Sequence, residues 1–420
     1  MSLSFQVITL RSVMLSMAVI QLATAASGTL VPLAFSEIGA SQEAASFAAA
    51  AYSAGFMIGC FFVSRFISDI GHIRAFAAGA AILTSAALLF SLMSLTSVLV
   101  CLRFITGLAT AGLFAIGDAW INEKAEEASR GRVLAVYAIV VGIVSVLSQF
   151  LVVLLPNDTS EAFVLVALVY CFSIIVIATT RTDPPDNDTK ASVRIFSLIK
   201  DVPTAAAGVF AFGMVSTTLL NVAPYDAAQL GVETRDIAII IGAIYLGRVL
   251  FQYTLGSLSD RMDRRIVIFF ASLTASIVLF LMAVLVDPVP VVEPFDYHSF
   301  RFFVLCVLMI ALGGSLLSLY SLLVAHALDR TTPDFVSSTA VTMLFIWTLG
   351  AVTGPLFANL FTTPYGDHAL HWVNFTVMFS YVLFLAIRIW FVEPVPVSKQ
   401  VSHVEMIPTS VEITPPEKGT

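Results

Sequence analysis

The segment Gly256-Ser257-Leu258-Ser259-Asp260-Arg261-Met262-Asp263-Arg264-Arg265 separates two long apolar runs, and it has an echo earlier in the chain. There, Ile67-Ser68-Asp69 is followed by Gly71-His72-Ile73-Arg74 and an apolar run containing Leu83-Thr84-Ser85. After Leu258-Ser259-Asp260-Arg261 come Arg264-Arg265 and an apolar run containing Leu273-Thr274-Ala275-Ser276. The offset from Asp69 to Asp260 is 191 residues, close to half of the apolar part of the chain. A repeat of that length points to two related halves.

The sequence on either side fits a membrane. Of 420 residues, 58% are hydrophobic and 12% charged, against about 25% charged in an ordinary soluble domain. A helix needs ~20 apolar residues to cross ~30 Å of hydrocarbon. Runs of that length predict spans over 12–35, 44–66, 75–95, 97–121, 133–155, 162–180, 203–228, 236–257, 265–286, 301–327, 334–361 and 370–391. The N-terminus imitates a signal peptide, with Arg11, an apolar run from Ser12 to Leu22 and Ala23-Thr24-Ala25. Apolar sequence continues through Phe35, however, which makes a full span instead of a short cleaved core. Cys60, Cys101, Cys171 and Cys306 fall one per run and read as small packing residues, with no disulfide, metal site or reactive thiol expected.

Lysine and arginine placement supplies an orientation. With the N-terminus inside, 17 of the 21 basic residues lie in cytoplasmic segments. Only Arg235 and Arg301 lie outside, while Arg103 and Arg248 fall within spans. This asymmetry is the positive-inside pattern, and it supports an even number of spans. The fold expected is therefore all-α and polytopic, with twelve transmembrane helices as two pseudo-symmetric six-helix bundles and both termini cytoplasmic. Residues 1–180 form the first half and 203–392 the second. A polar, Pro-Pro-containing linker spans 181–202, and the tail 393–420, with five prolines and no apolar period, reads as disordered and cytoplasmic.

The ten-residue segment at Gly256–Arg265 resembles the loop between helices two and three of a half in the major facilitator superfamily, G-x-x-x-D-R-x-G-R-R, with Asp263 in place of the second glycine. Arg103-Phe104-Ile105-Thr106-Gly107 is similar to that family's R-x-x-x-G motif in helix four. Gly71–Ala81 and Ala119–Tyr137 resemble a bacterial branch whose substrates are largely unassigned. The likeness covers nearly everything but the tail. It implies a secondary transporter of the bacterial inner membrane working by alternating access, with a small-molecule substrate and a proton as candidate coupling ion. The first-half loop departs from the pattern: aligned from Cys60, the acidic position is Ser64, beside a retained Arg65. Span five also lacks the family's antiporter motif, while span eleven carries Gly350-x-x-x-Gly354-Pro355, which permits close packing and a kink.

Candidate functional residues divide by depth. At the cytoplasmic loops, Arg65, Asp69, Gly71 and Arg74 in the first half and Gly256, Asp260, Arg261, Arg264 and Arg265 in the second are placed to gate, since acids there pair with arginines or helix N-termini. The plainer reading is that the arginines only hold the loops inside. Within the spans, ionisable groups are costly and hence functional candidates. Arg248 lies twelve residues before Asp260, ~18 Å up the helix. It shares a face with Tyr245 and Gln252, where it suits either an anionic substrate group or a structural ion pair. Arg103 is shallower, within reach of snorkelling. Asp118 lies near the inner end of its helix, fifteen residues from Arg103, and suits a coupling proton or a loop arginine. Gln21, Asn221, Tyr225 and Tyr320 lie on helices that line the cavity in the resembled family; the alternative is cross-helix hydrogen bonding for packing alone.

No G-x-x-x-x-G-K-[ST] loop and no H-E-x-x-H site occurs. No cofactor, metal, nucleic acid or enzymatic activity is expected, and a monomer in the lipid bilayer is. The reading is a secondary transporter of a small molecule. Its rivals are a multidrug effluxer and a non-transporting receptor or assembly factor that keeps the facilitator shape.

Overall fold

A computed structural model describes residues 3–126, 130–156, 158–179, 193–285, 300–332, 335–365, 369–401 and 403. Twelve of its helical stretches are long and apolar enough to cross a membrane. In the first half these are α1 (Leu3–Glu37), α2 (Gln42–Ile70), α3 (His72–Leu92), α4 (Thr96–Lys124), α5 (Arg130–Leu154) and α6 (Thr159–Ala178). A short α7 (Ile195–Asp201) leads into the second half.

Two spans there are broken helices. The seventh comprises α8 (Pro203–Asn221) and α9 (Ala223–Gln229), and the tenth comprises α12 (Phe300–Leu316) and α13 (Leu319–Leu328). The others are continuous: α10 (Thr234–Ser259), α11 (Arg264–Leu285), α14 (Val336–Tyr365) and α15 (Ala369–Phe391). Pro224 takes the first turn of α9, where its missing N–H costs nothing, so the seventh span breaks before the proline, at Val222.

Each half has its own core. One cluster of buried apolar side chains is drawn from 10–177 with Tyr225 and Ala238 added, and a second from 198–385 with Leu33 added. Within each half, reciprocal glycines bring two helices to backbone contact. A Cβ on Gly55 would lie 2.0 Å from the Phe104 carbonyl oxygen, and one on Gly107 2.0 Å from that of Tyr52, which locks α2 against α4. The second half repeats the device between α10 and α12: a Cβ on Gly247 would lie 1.9 Å from Ile310 O, and one on Gly313 1.8 Å from Ile244 O. Small residues allow such close approach where no hydrophobic effect drives helices together. The Gly350-Gly354 pair packs α14 on α8 in the same way, against Phe210 and Met214. Gly71, at φ 84°, turns the chain between α2 and α3 in a region that side chains with a Cβ avoid.

The halves meet along two seams, α2 with α14 and α5 with α10. At the end away from the termini they are also stapled by polar contacts. Tyr225 donates to Ala40 O at 2.7 Å, Gln42 to Asp226 at 2.8 Å and Gln229 to Ser36 at 3.0 Å.

Candidate substrate cavity

Between the halves lies a cavity of about 210 Å³. Its polar side is built from Gln21, Thr24 and Ser27 on α1, Arg103, Thr106 and Thr110 on α4, Tyr170 on α6 and Asn221 on α8. Its apolar side comprises Val31, Phe56, Phe90, Phe114, Phe163 and Trp347, with Tyr52 and Tyr245 completing the wall. The division suits an amphiphile, one end hydrogen-bonded and the other against aromatic faces.

Arg103 dominates the electrostatics. The Gly55–Gly107 contact pulls α4 onto α2 one turn away, so the arginine turns into the protein and is only 4% exposed. Its guanidinium stands 4.2 Å over the Tyr52 ring, and Nη2 donates to Asn221 Oδ1 at 3.2 Å. Nε is buried without a hydrogen-bond partner. No carboxylate among the described residues pairs with this cation. Around it, the Tyr170 hydroxyl lies 3.4 Å from Ser27 Oγ and 3.3 Å from Thr24 Oγ1. Gln21 Nε2 donates to Ser145 Oγ at 2.9 Å.

Of the residues singled out in the spans, the structure brings Gln21, Arg103, Asn221 and Tyr245 to one cavity. The other five lie elsewhere. Arg248 is buried, with Nε donating to Gln252 Oε1 at 2.9 Å, so the polar stripe on α10 satisfies itself in part. Asp118 is buried beside Tyr137 toward the end that bears the termini. Tyr225 belongs to the far-end staple, and Tyr320 packs against Phe212 and Trp347 behind the cavity wall. Tyr52, Tyr170 and Trp347 escaped the sequence reading. Tyr52 had a signal: it sits three residues before Gly55, on the face that the glycine presses against α4.

The loop residues gather unequally. Asp69, Arg74 and Arg261 are exposed, and the side chain of Arg65 lies outside the described residues. Arg264 and Arg265 are buried. Arg264 Nε lies 3.0 Å from Asp329 Oδ2 and its Nη2 3.3 Å from Asp260 Oδ1. Arg265 grips Asp263 at 2.8 Å, giving the residue that replaces the family's glycine a structural job.

Where composition predicts a disordered tail, residues 393–401 and 403 lie on these charges. Arg265 donates to Val392 O at 2.6 Å, Arg330 to Glu393 O at 3.0 Å and Arg264 to Val401 O at 2.7 Å. In return the Val401 N–H donates to Asp329 at 2.8 Å, and the His403 N–H to both oxygens of Asp260 at 2.9 and 3.1 Å. The contacts run through the main chain, which is why side-chain composition does not announce them. Burial beside this strap pushes Asp329 up to about 6, the nearby Arg264 charge opposing the rise. Burial, and secondarily Arg264, lowers His403 to about 4.

Comparisons with known proteins agree with this architecture. Protein YcaD of Salmonella arizonae, an uncharacterized MFS-type transporter, is 22% identical over 369 residues, covering 87% of this chain and 91% of its own. The uncharacterized MFS-type transporter YfkF of Bacillus subtilis is 24% identical over 266 residues, 61% of this chain and 63% of that protein. Among solved structures, a D-xylose-proton symporter superposes with TM-score 0.71 at 12% identity, covering 93% of this chain and 99% of its own. A bacterial homologue of the human lysosomal transporter Spinster, inward-facing and occupied, gives 0.69 at 15% identity over 92% and 96% of the two chains. The family model described as Major Facilitator Superfamily matches residues 13–205 and again 205–415, one copy for each half. The chain belongs to the Major Facilitator Superfamily of membrane transporters.

Proposed function

We propose that the chain is a secondary transporter that carries a small amphiphilic anion by alternating access, with its termini in the cytoplasm of a bacterial cell. The observation that carries the anion is Arg103: a buried cation that borders the cavity, with no carboxylate partner among the described residues. Taking one ion out of water costs several kcal/mol unless it is paired. Stacking on Tyr52 contributes ~0.5–2 kcal/mol, and the single hydrogen bond to Asn221 about 1.5–3. A substrate carboxylate near Nε supplies what is missing, and the aromatic wall receives its apolar body. This role was expected of Arg248, which instead engages Gln252 and lies off the cavity.

The fold supports alternation, because each half draws its core mostly from its own residues and the polar staple described between the halves sits at one end of the cavity. Asp118, buried near the cytoplasmic end, is the candidate for a coupling proton. The test is thermal unfolding of the purified protein with benzoate, benzyl alcohol and benzylamine, followed by uptake into proteoliposomes with and without a pH gradient. Benzoate alone should raise the melting temperature, and Arg103→Gln should erase that rise. Equal stabilisation by the amine, or no loss in Arg103→Gln, defeats the anion reading.

A further inference from the structure

The seam between α5 and α10 has a regular order. A Cβ on Gly242 would lie 3.3 Å from Gln149, and one on Gly142 would lie 3.0 Å from Val249. Both partners advance by seven residues, two helical turns, so they stay on one face of each helix. A further step of the same length toward the termini leads to Gly256 on α10 and Ala135 on α5. At that step the structure shows His403. A Cβ on Gly256 would meet the His403 ring at 2.4 Å (Cδ2) and 2.7 Å (Nε2), so the ring lies flush on the bare glycine. The imidazole occupies the place on α10 where the first half would continue the seam.

We propose that the tail is a removable wedge: docking of residues 393–401 and 403 seats His403 on Gly256 and holds the cytoplasmic end of the α5–α10 seam open. This rests on the alternating-access reading, in which the halves must close at that end once per cycle. The strap is anchored on Asp260, Arg264 and Asp329 through main-chain atoms of Val401 and His403, and so it recruits the charges of the loop motif. With Asp260 held by the tail, that carboxylate faces its own half and is occupied. Release is built in. Both ring nitrogens of His403 are shielded from solvent without a hydrogen-bond partner, and both recover water when the strap lifts. Regulation of the carrier by its own C-terminus follows, with the docked tail favouring a cavity open to the cytoplasm.

Spin labels on exposed Arg132→Cys (α5) and Tyr253→Cys (α10) report the seam, in a background where the four free cysteines are replaced. Distances are compared among the full chain, His403→Ala, and a chain ending at Val401, all in nanodiscs of phosphatidylethanolamine and phosphatidylglycerol. The wedge predicts at least a twofold rise of the short-distance population in both variants. A synthetic peptide of residues 393–405 added to the shortened chain should reverse it. Two populations present in unchanged proportion in all three proteins overturn the wedge and leave alternation standing. A single fixed distance in every protein overturns alternation, and the wedge with it. Folding of each variant is checked by its melting temperature, and the alanine variant keeps every main-chain anchor.

Discussion

Arg103 on α4 and Asn221 on α8 are joined by a 3.2 Å hydrogen bond that crosses from one half of the protein to the other inside the cavity. Among the described residues, the bond ties the sole charged side chain of the cavity wall to the broken seventh span, because Asn221 is the last residue of α8 before the chain restarts in α9. An anion that takes the guanidinium must compete with this amide or bridge both groups. Binding and the relative position of the halves are thereby linked through one donor.

Asn221→Ala tests that link. Removing the acceptor leaves Nη2 of a buried cation short of a partner, and an unsatisfied buried group costs ~1–3 kcal/mol, more when charged. The unliganded variant should therefore melt below the parent protein. Addition of benzoate should recover more stability in the variant than in the parent, since the anion no longer displaces an internal bond. Thermal unfolding with and without benzoate reads both. A smaller benzoate gain in Asn221→Ala contradicts the competition.

The glycine contacts give a sharper structural prediction. At Gly247 any Cβ must displace the Ile310 carbonyl, 1.9 Å from its ideal position, and backbone does not yield as a side-chain tip does. Gly247→Ala should cost ~1–3 kcal/mol by overpacking, with a larger loss for Gly247→Val. Gly28→Ala has nothing within 4 Å of the new methyl group and should gain up to ~1 kcal/mol of helix propensity. Melting temperatures of the two alanine variants, measured in one detergent, should move in opposite directions.

Much of the fold was legible because a bilayer sets the length of each apolar run. All twelve spans, and the close packing at Gly350 and Gly354, follow from residue type and spacing alone. The breaks were not. Pro224 marks a turn without saying that the helix stops at Val222, and the interruption at Leu317–Ser318 has no proline to mark it, only the glycines and serines around it. In the cavity, Gln21, Asn221 and Tyr245 could be picked out as polar groups in apolar surroundings. Tyr52 carried only the indirect signal of its spacing from Gly55, and Tyr170 carried none, because an aromatic that faces a cavity is written with the same letter as one that faces lipid. Arg103 and Arg248 are both buried, and what separates them is that Arg103 borders the cavity while Arg248 engages Gln252. Depth along one helix says nothing about which way a side chain points.

The strap makes a prediction about acid. Burial raises Asp329 from its ordinary 3.8 to about 6. A carboxyl raised on folding contributes stability at low pH that is lost as pH climbs through 6. His403, lowered from 6.5 to about 4, does the opposite: its contribution is present near neutrality and lost as pH falls from 6.5 toward 4. The two nearly cancel in the parent protein, which should show a flat dependence between pH 4 and 6.5 from this region. Asp329→Asn should then lose stability on acidification over that window, and His403→Ala should gain it. Each full contribution is on the order of 3 kcal/mol, since one pKa unit corresponds to ~1.4. Parallel pH profiles for the two variants would refute the assignment.

At the opposite end, Tyr225 offers a test of the proposed alternation between open and closed states. Its hydroxyl donates to the Ala40 carbonyl, so the bond exists only while the two halves touch there. Tyr225→Phe deletes the donor and keeps the ring that packs into the first-half core. A net hydrogen bond contributes ~1 kcal/mol, so the variant should open that end about fivefold more often. A single cysteine placed at Thr106, which lines the cavity from the first half, reports the opening through its rate of alkylation by a membrane-impermeant maleimide added outside intact cells. The rate should rise about fivefold in Tyr225→Phe relative to the same cysteine in the parent. An unchanged rate means that the Tyr225–Ala40 bond is decoration on a closure held by apolar packing, with Ala49, Val222 and Ala358 as the next residues to substitute.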